Sequence, residues 1–182
     1  MNIPTFLTVL RILLIPALAY LFIEGYAIAA LTLYIAIALT DFFDGYLARK
    51  LKQTSALGAF LDPIADKLLV VALLILFVAD GVISGLWVIA PTLIIMREIW
   101  VPALRGFIGY DKKIAAVSQL AKWKTTAQMV SAAFLLIYNY DFGISLPLSV
   151  HEIGLYLLGI AALLTIITAY DYTKKAWPLL TK

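Results

Sequence analysis

The sequence predicts an all-α membrane protein of six transmembrane helices. Three observations predict it. Of 182 residues, 64% are hydrophobic and the mean hydropathy is +1.00, against roughly half apolar in a soluble domain. The apolar residues fall in six runs, each near the ~20 residues that a helix needs to cross the hydrocarbon. Short stretches with turn chemistry separate the runs, and an open sheet cannot span lipid.

The first segment, 3–23, begins at Ile3 with no basic stretch ahead of it. It is long enough to span, so it reads as an anchor and not as a cleavable signal. Glu24-Gly25 closes it. The second and third segments, 27–50 and 57–79, are joined by a short basic turn and must lie antiparallel. Asp80-Gly81 leads to the fourth, 84–105. Gly106 to Gly109 precedes the fifth, 118–138, and Asn139 to Pro147 precedes the sixth, 152–172. No internal repeat is visible, and residues 1–182 read as one integral membrane domain.

Lysine and arginine set the orientation. The turns at 24–26 and 80–84 and the loop at 139–151 carry none. Arg49, Lys50, Lys52, Arg105, Lys112, Lys113, Lys122, Lys124, Lys174, Lys175 and Lys182 all fall on the other side. That face is expected to be cytoplasmic, with both termini on it. Tyr20, Phe22, Tyr26, Trp87, Tyr138 and Tyr140 fall near segment ends on the outer side, as an aromatic belt would.

The chain has no cysteine and one histidine, His151. Disulfides and thiolate metal sites are therefore excluded, and a zinc site of the usual kind lacks ligands. Any metal must be a hard ion held by oxygen.

The oxygen donors are conspicuous. On a helix, residues three and four apart share a face. Asp41, Asp44, Gly45 and Ala48 form one such stripe at the end of the second segment. Gly58, Asp62 and Asp66 form another at the start of the third. The antiparallel arrangement lets the two stripes face each other. An acid near the centre of a membrane helix costs about 2.5–3.5 kcal/mol, less toward the interface. Four together call for countercharge, which divalent cations supply; two ions could clamp a phosphoryl transfer. Gly45, Ala48 and Gly58 clear a slot beside the acids. The residues alone leave two other readings: solvated acids at helix ends, and the cation or proton pathway of a transporter.

Asp41-x-x-Asp44-Gly45-x-x-Ala48-Arg49, eight residues, then Gly58-x-x-x-Asp62-x-x-x-Asp66 resembles the signature of the CDP-alcohol phosphotransferases, with every position filled. The resemblance implies a six-helix membrane fold, a homodimer, and a site facing the cytoplasm. It implies that Asp41, Asp44, Asp62 and Asp66 hold two Mg²⁺ or Mn²⁺ ions, with Asp66 as the general base. It further implies that Gly45, Ala48, Arg49 and Gly58 line the site of the CDP group of a CDP-diacylglycerol donor.

The acceptor is a separate question. Arg97 lies well inside an apolar run, Arg105 follows eight residues later, and Lys124 opens the fifth segment. Arginine meets phosphate oxygens bidentately and lysine adds a point charge. A structural ion pair between Arg97 and Glu98 is the plainer reading of Arg97.

Asn2 to Thr5, Arg11, Gly58 to Lys67, Arg97-Glu98 through Arg105, and Lys122 to Gln128 resemble the bacterial branch of the family whose acceptor is sn-glycerol 3-phosphate. This covers roughly 2–130. It implies that Arg97, Arg105 and Lys124 bind the acceptor phosphate, and that the products are phosphatidylglycerol phosphate and CMP at the bacterial cytoplasmic membrane. Asn2 and Thr5 read either as nucleotide or metal contacts or as an ordinary helix start. The same-family alternative is a cardiolipin synthase, with phosphatidylglycerol as acceptor. Nothing points to nucleic acid.

Overall fold

The computed structural model describes residues 3–51, 56–108, 119–140 and 147–181; within these, the side chains of 3, 4, 41–51, 56, 59, 107, 108, 121 and 179 lie outside the description. Among the described residues six α-helices follow in order: α1 Ile3–Ile23, α2 Ala27–Leu51, α3 Ala56–Ala79, α4 Ile89–Ile108, α5 Gln119–Leu136 and α6 Val150–Leu180. A 3₁₀ turn, Gly85–Val88, leads into α4. No strand occurs among the described residues. Three described stretches are long and apolar enough to cross a membrane: Thr5–Ile23, Gly85–Gly106 and Val150–Pro178. Ala27–Thr40 is a shorter apolar one.

The chain divides into two compact units. One comprises Met1–Gly81 with Leu136–Ser145, the other Val82–Leu135 with Leu146–Lys182.

In the first unit, α1 packs on both α2 and α3. The turn between α1 and α2 is dictated by Gly25, at φ 77°. Tyr26 N–H donates to the Leu21 carbonyl and Gly25 N–H to that of Phe22. These two bonds form a Schellman motif, whose left-handed residue favours glycine. Helices α1 and α3 run parallel: Thr8 meets Asp62 at one end and Phe22 meets Phe77, rings 5.4 Å apart, at the other. Phe22 also touches Tyr138, with ring centroids 6.3 Å apart. Phe22 is thus buried in the core of this unit and is not part of an aromatic belt. Tyr20, Tyr26 and Tyr140 are exposed.

In the second unit, α4 and α6 also run parallel. His151 bonds the Val82 carbonyl, Trp87 packs on Tyr156, and Trp100 donates to Thr173. The register thus advances together along both helices. Helix α5 returns between them in sequence and runs antiparallel to α6. Its Ser131 donates to the Gly154 carbonyl, while Lys124, nearer its start, reaches Glu98. Gly154 lets α5 lie close here, since a Cβ there would come within 2.7 Å of the Leu135 side chain, which would have to shift. A capping box starts α6: Ser149 accepts from Glu152 N–H, and the Glu152 carboxylate accepts from Ser149 N–H. Two orphan donors are satisfied at once.

Candidate active site

In the first unit, α3 carries Asp62 and Asp66 one turn apart on an exposed face, with Gly58 buried one turn earlier. The sequence expectation of one stripe holds for these three. Asp41, Asp44, Gly45, Ala48 and Arg49 fall on the α2 helix; their side chains lie outside the described residues. Asn2 also lies outside them. Thr5 is buried.

The structure adds a partner that the sequence did not announce. The hydroxyl of Thr8 on α1 donates to Asp62 Oδ1 at 2.7 Å. Thr8 is fully buried, so its rotamer is fixed by packing. The bond leaves Asp62 Oδ2 uncommitted to Thr8 and pins the carboxylate. Such outer partners orient metal ligands and commonly change metal affinity or activity 10–100-fold when removed. Arg11, one turn further along α1, is only 2% exposed.

Two exposed carboxylates one turn apart, one of them already oriented, suit a hard divalent ion. Among the described residues no group of three acidic or histidine side chains forms. The fit therefore rests on the oxygen chemistry of Asp62 and Asp66.

The second unit gathers the basic residues. Glu98 is buried and accepts from both Arg97 Nη1, at 2.9 Å, and Lys124 Nζ, at 2.5 Å. The ion pair of Arg97 with its neighbour is thus real, and Lys124 shares it. Among the described residues, Arg97 Nε has no hydrogen-bond partner, nor does Gln128 Nε2, one turn beyond Lys124 on α5. A buried donor left unused is uncommon and calls for an explanation; a bound anion is one.

Arg105 lies eight residues beyond Arg97, about 12 Å along the axis. No hydrogen bond or ion pair among the described residues links it to the Glu98 group. Its Nη2 donates to the Tyr172 hydroxyl at 2.5 Å, and its guanidinium carbon sits 4.6 Å from that ring's centroid. Tyr172 belongs to α6, a helix whose composition is apolar on nearly every side.

The model of the family described as CDP-alcohol phosphatidyltransferase matches residues 1–168. The chain belongs to the CDP-alcohol phosphatidyltransferase family. It is 42% identical to the CDP-diacylglycerol–glycerol-3-phosphate 3-phosphatidyltransferase of Cereibacter sphaeroides, covering 98% of this chain and 97% of that one. It is 43% identical to the enzyme of the same name from Haemophilus influenzae, over 96% and 93%. The like-named protein of Pseudomonas fluorescens is 40% identical, over 98% and 91%. CDP-alcohol phosphatidyltransferases are in general dependent on divalent metal, which the oxygen donors Asp62 and Asp66 suit.

Proposed function

We propose that this chain transfers the phosphatidyl group of CDP-diacylglycerol to sn-glycerol 3-phosphate, giving phosphatidylglycerol phosphate and CMP. The observation that carries this reading is the near-full-length similarity, at about 40% identity, to several bacterial enzymes of that name. The whole chain works as one catalytic domain that crosses the bacterial cytoplasmic membrane six times, as a homodimer, with termini and site in the cytoplasm.

Asp41, Asp44, Asp62 and Asp66 would hold two Mg²⁺ or Mn²⁺ ions. Such ions supply charge neutralisation on the diphosphate and on the leaving phosphate. Thr8 keeps Asp62 turned to its task. Gly45, Ala48 and Gly58 leave room for the CDP group, and Arg49 adds positive charge beside it. Asp66 takes the proton of the acceptor hydroxyl. The hydroxyl oxygen forms its bond to the lipid-linked phosphorus as the bond from that phosphorus to the CMP oxygen breaks. Arg97, Arg105 and Lys124 hold the acceptor phosphate. The unused Nε of Arg97 supports that role.

The test is CMP release in detergent from CDP-diacylglycerol with each candidate alcohol. Release with glycerol 3-phosphate, and not with phosphatidylglycerol, inositol phosphate or serine, is the expected result. Release only with phosphatidylglycerol would make this a cardiolipin synthase; release with none of them would return the transporter reading.

A further inference from the structure

The structure assigns to Tyr172, on the last helix, the part of a positioning residue for the acceptor: it fixes Arg105 for the phosphate without spending its charge. The inference rests on the proposed role of Arg105.

Tyr172 is 3% exposed. It lies on the inward stripe of α6 with Leu158, Thr165, Thr168 and Ala176, all buried, at the three-and-four spacing of one helical face. Its ring therefore cannot swing away. Arg105, by contrast, is an exposed residue of the last turn of α4. An exposed arginine samples many rotamers, and binding a phosphate would have to freeze them. Here two contacts freeze them beforehand, the bond from Nη2 to the phenol oxygen and the stacking on the ring.

The chemistry of the holder matters. The second unit also shows the other solution, since Glu98 holds Arg97 and Lys124 with a carboxylate and cancels one of their charges. A phenol is neutral at physiological pH, so Arg105 keeps its full charge. Guanidinium has five N–H donors. The hydroxyl occupies one of them, and the others remain for a planar, two-point grip on phosphate oxygens. Arg105 is thus the cation of the set that is both oriented and undiminished.

Steady-state kinetics on the full-length protein in detergent, with both substrates varied, test this. Tyr172→Phe keeps the ring and the packing and removes the hydroxyl. It should raise the KM for glycerol 3-phosphate about tenfold, as expected for one hydrogen bond to a charged group, and leave the KM for CDP-diacylglycerol alone. Tyr172→Leu removes the ring as well and should raise it further. The deciding measurement is the cycle with Arg105→Ala. If Tyr172 acts through Arg105, Tyr172→Phe has no further effect in the Arg105→Ala background. Where turnover is too low, the same cycle is read from stabilisation by glycerol 3-phosphate against heat. An unchanged KM in Tyr172→Phe, or an equal effect in both backgrounds, overturns the inference while leaving the reaction intact. If Arg105→Ala itself leaves the acceptor KM unchanged, the acceptor site is misassigned and the inference falls with it.

Discussion

Replacing Thr8 with valine tests whether the acids of α3 are metal ligands whose geometry α1 sets. Valine matches threonine in shape and exchanges the hydroxyl for a methyl. Thr8 is fully buried, so the methyl enters an interior that accepts it and the fold should persist. The 2.7 Å bond to Asp62 Oδ1 is removed. A hydrogen bond to a charged group is worth about 1.5–3 kcal/mol. Asp62 is exposed, so water replaces part of the loss and the lower end applies. About 1.5 kcal/mol is roughly tenfold in an equilibrium constant. The Mg²⁺ concentration for half-maximal CMP release should therefore rise about tenfold, with the rate at saturating Mg²⁺ little changed. Thr8→Ser should restore the wild-type curve. The assay is CMP release against free Mg²⁺ at saturating lipid and acceptor. An unshifted metal curve with an altered maximal rate would refute the reasoning, because Thr8 would then act on something other than metal binding.

Excess chelator should abolish CMP release and added Mg²⁺ or Mn²⁺ should restore it; Asn at Asp41, Asp44 or Asp62 should remove most activity while the protein still inserts, and activity surviving in chelator would remove the two-ion mechanism. Alanine at Arg97, Arg105 or Lys124 should raise the glycerol 3-phosphate KM roughly ten- to a hundredfold with little change for CDP-diacylglycerol, and three unchanged values would dismiss the acceptor assignment. The chain has no cysteine, so single cysteines report topology cleanly: one at exposed Ser84 should react with an impermeant thiol reagent in intact cells and one at exposed Thr181 should not, the reverse pattern overturning the orientation.

The helices were legible because hydrophobic run length is a strong signal in lipid. The first segment, 3–23, coincides with α1, and the next two differ from α2 and α3 by a residue. The expected sixth segment, 152–172, is short at both ends of α6, which runs Val150–Leu180. At its start the capping box of Ser149 and Glu152 was there to be read. At its end Lys174 and Lys175 look like an exit into water. The helix continues past them because its other face is still buried, at Tyr172 and Ala176. The acids on α3 were legible because their spacing is local. Thr8 is 54 residues from Asp62, Lys124 is 26 from Glu98, and Tyr172 is 67 from Arg105. Spacing along one helix cannot reveal such partners. Helix α6 hides its inward face for a further reason: in a membrane the outward face is apolar too, so periodicity does not distinguish the two.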